Sequence, residues 1–96
     1  MRKLTEAHIL RAYVRLFLFP EDERSANPVA LARHGAFEVR MHELPSDDLP
    51  LWLELYCHDR QTTIDFGACR DVVEALPLAE ELTFWARLLH RRSRRH

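Results

Sequence analysis

Between residues 51 and 66 the chain reads LWLELYCHDRQTTIDF, and hydrophobic and polar positions alternate along it. Leu51, Leu53, Leu55 and Cys57 share one parity and Trp52, Glu54, Tyr56 and His58 the other, the period of a strand with one buried face. Thr62, Ile64 and Phe66 resume the alternation, which predicts a hairpin with strands over 51–58 and 61–67. His58-Asp59-Arg60-Gln61 lacks the Asn-Gly or Asp-Gly of a two-residue turn, so a four-residue loop is expected. With Cys57 opposite Thr62, Leu55 meets Ile64 and Leu53 meets Phe66 on the buried face. A slip of one residue sets Leu55 against Asp65, which a buried face should reject.

A further alternation precedes the hairpin. Phe37, Val39 and Met41 interleave with Glu38, Arg40 and His42, predicting a strand over 36–43. Pairing Phe37 with Cys57, Val39 with Leu55 and Met41 with Leu53 aligns three apolar rows. On the opposite face the same register places Arg40 across from Glu54, His42 beside Trp52 and Glu38 beside Tyr56. Glu54 would then lie across from Asp65, a repulsion that Arg40 offsets, each cross-strand pair being worth roughly 0.2–1 kcal/mol.

The flanking segments have the helical period. Ile9, Tyr13, Leu16 and Phe17, broadened by Leu10 and Val14, form one apolar face of a helix over 5–19, with Thr5 as its N-cap. Phe19-Pro20 ends it, and Leu18 and Phe19 are expected against the core or a partner. Glu21-Asp22-Glu23-Arg24 reads as a solvated connector. Asn27, Pro28 and Gly35 stand in the order of N-cap, first helical position and C-terminal stop, which predicts a short helix over 28–34. That segment is too short for periodicity to decide, and a strand is the alternative.

Asp71 caps the last helix, with Glu74 three places on. Val72, Ala75, Leu76, Ala79, Leu82, Ala86 and Leu89 face inward, with Leu78 and Trp85 beside them. The helix is expected to reach about residue 91 with a kink at Pro77. The predicted fold is a single α+β domain over 1–96. Its order is α-(short α)-β-β-β-α, a three-stranded antiparallel meander packed by the N- and C-terminal helices.

Composition supports a packed soluble domain, since 47% of the 96 residues are hydrophobic, 30% are charged and only two are glycine. No apolar run approaches the ~18 residues that span a bilayer. Met1-Arg2-Lys3-Leu4 resembles the basic start of a signal peptide, but Glu6, His8, Arg11 and Arg15 interrupt the apolar region behind it. A cytoplasmic location with two reduced thiols is therefore expected. The net charge of −1 conceals an asymmetry. Arg87, Arg91, Arg92, Arg94 and Arg95 fall in the last ten residues, which leaves nine basic residues against fifteen acids in the rest.

Candidate chemistry is sparse. Cys57 and His58 are strand neighbours and so point to opposite faces. Cys69 lies about 23 Å of extended chain beyond the partner of Cys57, too far for a disulfide. The six histidines are scattered without the spacing of a metal site. No phosphate loop, Gly-x-Ser-x-Gly or Walker sequence occurs, so no catalytic residue, metal or cofactor is expected. Helix–three strands–helix is also the order of double-stranded RNA-binding domains. Here, however, the positions such domains use read Arg70-Asp71-Val72-Val73-Glu74 and Ser46-Asp47-Asp48, acidic or apolar but for Arg70 and Ser46.

What remains is surface. Trp52, Tyr56, His42, Arg40 and Glu54 fall on the sheet face that the helices leave uncovered. They predict a non-enzymatic protein-interaction or accessory domain, homodimeric through that face. The alternative is weak nucleic-acid binding, in which Arg91, Arg92, Arg94 and Arg95 grip phosphates.

Overall fold

A computed structural model describes residues 4–44 and 48–93. Helix α1 (Glu6–Leu16) and a 3-10 turn (Glu21–Glu23) precede four strands, β1 (Val29–His34), β2 (Phe37–Glu43), β3 (Leu51–Cys57) and β4 (Thr62–Cys69). Helix α2 (Val72–Ser93) comes last. The strands form one antiparallel meander in the order β1-β2-β3-β4. Both helices lie on one face of it, α2 touching all four strands and α1 touching β1, β2 and α2. The α+β class holds, with four strands where three were predicted.

The extra strand replaces the short helix predicted over 28–34. Val29 pairs with Met41, and the register shifts between Ala30 and Ala32, so Leu31 is an extra residue. That bulge erases the period of two, and Ala30-Leu31-Ala32 suits a helix by propensity. Gly35 is the first of two loop residues between His34 and Phe37 and has φ +61°, a hairpin position that favours glycine. A Cβ there would also run into the His90 ring of α2. The glycine therefore serves a hairpin rather than a helix end.

The core is assembled from Ile9, Leu16, Val39, Met41, Leu53, Leu55 and Leu82, all essentially without exposed surface. Small α2 residues Ala75, Ala79 and Ala86 let that helix lie close to the sheet. Asp71 accepts the Glu74 backbone N–H at 3.0 Å, as its predicted capping role requires. Pro77 sits within α2, which stays one continuous helix. Pro77 and Val73 are both exposed, so water can take the Val73 carbonyl that the proline leaves unpaired.

Helix α1 ends at Leu16, three residues earlier than predicted, and Phe17 to Phe19 continue as i→i+3 turns. Its buried residues are Ile9, Ala12 and Leu16. Leu10, Val14 and Phe17, predicted as part of the same inward face, are exposed, and Leu18 is 81% exposed. Arg24, predicted in a solvated connector, instead reaches buried Glu43, with Nη1 3.0 Å from Oε1. The Tyr13 hydroxyl also donates to Glu43, and Arg24 lies 4.1 Å over the Phe17 ring. Burial, then the charge and hydrogen bond of Glu43, push the Tyr13 phenol above its ordinary pKa, with Arg24 opposing.

A candidate interaction surface on the open sheet face

Strands β2 and β3 pair in the predicted register, with Arg40 opposite Glu54, His42 opposite Trp52 and Glu38 opposite Tyr56. The polar rows these pairs create face away from both helices. Arg40 donates to Glu54 Oε1 through Nε at 2.9 Å and Nη2 at 2.6 Å. Its guanidinium also lies 4.0 Å from the centroid of the Tyr56 ring, so a cation–π contact holds it flat on the sheet. Glu38 Oε1 is 3.1 Å from His58 Nε2 and 3.9 Å from Arg40 Nε. His42 places Nε2 3.4 Å from Glu54 Oε1, while its Nδ1 is 3.0 Å from the Ser25 carbonyl oxygen.

Register between β3 and β4 departs from the prediction after the first pairs. Cys57 pairs with Thr62 as expected and Tyr56 with Thr63, but Leu55 then meets Asp65, which makes Ile64 a bulge residue. Downstream of the bulge every β4 side chain changes face. Leu53 faces Gly67, not Phe66, and Glu54 faces Phe66, not Asp65. The predicted Leu55–Ile64 and Leu53–Phe66 core pairs do not form, and Ile64 and Phe66 are 45% and 59% exposed.

Two physical reasons favour the bulge. First, it removes the Glu54–Asp65 repulsion and gives Glu54 Oε2 a 2.6 Å hydrogen bond from the Thr63 hydroxyl instead. Second, it brings Gly67 under α2, where even a Cβ would stand 2.9 Å from Leu78 Cδ2, leaving no room for a phenyl ring. The Leu55–Asp65 pair is tolerated because β4 is an edge strand and Asp65 is exposed to water.

On the open face the bulge delivers Phe66 onto Trp52. The rings stack with centroids 5.3 Å apart and planes 17° from parallel. The surface therefore has an aromatic end, Trp52 and Phe66, and a charged end built on Arg40, Glu54, Glu38 and Tyr56. The Trp52 indole N–H is buried without a hydrogen-bond partner among the described residues. Phe66 was missing from the sequence-predicted surface. Its signals in the sequence were the like-charge pair that the unbulged register forced and the glycine at position 67.

Electrostatics mark the charged end as a finished network. Glu54 is 7% exposed, and burial, the largest single influence, pushes its carboxyl pKa up. The Thr63 hydroxyl, the Arg40 hydrogen bonds and the charges of Arg40 and His42 together outweigh burial and hold it below the ordinary carboxylate value. A carboxylate engaged in this way stays ionised and occupied. Its Oε1 is taken by Arg40 and approached by His42, and its Oε2 accepts from Thr63.

The remaining candidates lie elsewhere. Cys57 and Cys69 are free, buried thiols at opposite ends of β4's pairing with β3. Burial, aided by Glu74 and Asp71, pushes Cys69 up to about 11, so it is an unreactive core residue whose S–H points at the Leu51 carbonyl. No group of three or more His, Cys, Asp or Glu side chains able to hold a metal occurs among the described residues. Arg91 and Arg92 are exposed in the last turn of α2, where their cations complement the carbonyl end of the helix. Arg94 and Arg95, named with them, lie outside the described residues, as do Ser46 and Asp47.

A cleft of about 430 Å³ opens between β4 and the end of α2, with Phe37, Cys57, Ile64 and Leu89 as apolar lining. Asp59, Arg60 and Arg92 at its rim mix both signs of charge and select neither. No helix among the described residues is long and apolar enough to cross a membrane. Comparison with protein-family models, with curated proteins and with solved structures finds no match to this chain.

Proposed function

We propose that this chain is a non-enzymatic protein-contact domain that works in a reducing, cytoplasmic compartment. Its working surface is the uncovered sheet face, anchored by Trp52 and Phe66 and bordered by Arg40, Glu54, Tyr56 and His42. The observation that carries the reading is the exposed Phe66 ring, stacked on Trp52 on the side of the sheet away from both helices. Aromatic side chains beside a fixed arginine are the composition of interface hot spots. The polar groups around them are already paired, so a partner can dock without desolvating a bare charge.

Protein suits this face better than nucleic acid. Glu38 and Glu54 neutralise Arg40, so no free cationic stripe is left to meet a phosphate backbone. No feature of Arg91 and Arg92 favours phosphate contact over their place at the helix end.

A photo-crosslinking residue introduced at Ala68, which pairs with Trp52 on the open face and lies outside the Glu54 network, tests the reading in cells. It is expected to give one discrete protein adduct that Phe66→Ser abolishes and that the same crosslinker at Glu81 on α2 does not form. Equal adducts at both positions, or adducts insensitive to Phe66→Ser, would remove the sheet face as the contact surface.

A further inference from the structure

Helix α1 is apolar on two sides, and only one of them meets the core. Ile9, Ala12 and Leu16 are buried against the sheet and α2. Leu10, Val14 and Phe17 are 53%, 58% and 48% exposed, and Ala7 is exposed as well. Positions 7, 10, 14 and 17 are separated by three, four and three residues. That is the spacing of the seam in a two-helix coil, where each apolar side chain enters a hole on a facing helix. On a three-turn helix of a charged protein, four such positions left in water call for a cover.

We propose that the cover is α1 of a second copy, packed parallel and in register about a two-fold axis along the seam. The flanking charges select this occupant. Glu6 directly precedes the first seam residue and Arg11 directly follows the second, five residues apart. Across a parallel pair those two positions face each other, so Glu6 of each copy meets Arg11 of the other, twice by symmetry. Neither side chain has an ion pair or side-chain hydrogen bond among the described residues, so both are free to do this. An antiparallel pair brings the two Arg11 side chains toward each other and leaves Glu6 without a cation.

The far end of the seam is already set. The Phe17 ring meets Tyr13 edge-to-face at 4.9 Å and carries Arg24 on its surface, so its position is fixed before a partner arrives. Pairing here uses the outer side of the helix layer and leaves the sheet face, on the opposite side of the molecule, free for a different protein.

Sedimentation of the full chain at increasing concentration reads the pairing directly. The wild type should be a dimer, and Val14→Glu should raise the dissociation constant roughly 30-fold or more, as loss of an interface hot spot does. Glu6→Arg and Arg11→Glu should each weaken the dimer by about 2–10-fold, and the double exchange should restore it. Leu10→Cys should form a disulfide-linked dimer under mild oxidant, because parallel register sets the two Leu10 positions face to face while Cys57 and Cys69 stay buried. Circular dichroism on each variant separates lost pairing from lost folding, and Val14→Ser serves if Val14→Glu does not fold. A wild type that is monomeric at its highest soluble concentration would overturn the proposal. So would a dimer that Phe66→Ser breaks and Val14→Glu does not, which would move self-association to the sheet face. Cross-linking of Leu10→Cys to Val14→Cys in preference to either alone would overturn the parallel register.

Discussion

The two outer surfaces of this molecule are built on opposite principles. On the sheet face each charged side chain of β2 and β3 is met by another. Arg40, Glu54, Thr63 and His42 form one network, and Glu38 with His58 extends it. On the helix face Leu10, Val14, Phe17, Val73 and Phe84 are exposed to water. The sheet surface therefore contributes to folding whether or not anything binds it. Apart from Phe17, which Tyr13 and Arg24 hold, these exposed helix side chains add little to the monomer, and the pairing proposed above is what would give them a role. A strand face next to a core is organised by register, which fixes each polar neighbour within one pleat. A helix has room for a second apolar stripe because its other sides are independent of the first.

Substitution should separate these two kinds of surface, and the largest effect belongs to the network. Glu54→Ala removes the shared partner of Arg40 and Thr63, a carboxylate that is itself buried. A loss of about 2–3 kcal/mol is expected, at the lower end for a broken buried pair because Arg40 is partly exposed. At roughly 4–8 °C per kcal/mol for a domain of this size, thermal melting should show it as a drop of at least about 8 °C. Val14→Ser on the helix face should leave the stability of the dilute monomer within about 0.5 kcal/mol of wild type. Equal losses at the two positions would break the contrast.

Acid sharpens it further, in two separate windows. The Glu54 carboxyl is held below its ordinary value in the folded chain, so its contribution is fully present above about 4.3, the pKa of an unfolded glutamate. It is lost as pH falls through the folded value. His34 sits away from the network, where burial, then the charges of Arg87 and His90, lower its pKa. The folded chain therefore resists protonating it, and stability should decline as pH falls below about 6.5, the unfolded value. Denaturant midpoints across pH should show both slopes. His34→Gln should flatten the upper one and Glu54→Gln the lower, each leaving the other in place. A single slope insensitive to both variants would mean that neither group governs the acid limb.

How legible these features were depended on whether the local pattern was regular. The β2–β3 register could be read because Phe37, Val39 and Met41 match Cys57, Leu55 and Leu53 without interruption, and it carried Arg40, Glu54, His42 and Trp52 to their observed places. Two bulges defeated the same reasoning. Leu31 made β1 resemble a helical turn, and Ile64 sent Phe66 from its expected core site to the open face. An inserted residue leaves hydrophobicity unchanged and alters only parity, so its trace lay in secondary clues. Those were a forced Glu54–Asp65 pair and a glycine, Gly67, where the helix needed room. In α1 the apolar residues form an unbroken arc from Ile9 round to Val14. Nothing in the period says that the arc serves two neighbours rather than one.

The smallest effect tests the aromatic end of the sheet face, where contact and stability should come apart. The Trp52 indole N–H is buried without an acceptor among the described residues, a desolvation cost that its ring burial must offset. Phenylalanine removes that donor and keeps a flat ring for Phe66 to stack on, while giving up some apolar area. The two changes oppose each other, so Trp52→Phe should alter the unfolding free energy by no more than about 0.5–1 kcal/mol in either direction. Trp52→Ala loses the ring as well and should cost about 2 kcal/mol or more, even though the residue lies on the outer side of the sheet. If Trp52→Phe cost as much as Trp52→Ala, the N–H would have to be donating to an acceptor after all. The stack would then be a folded-state hydrogen-bonding element rather than an apolar anchor offered to a partner.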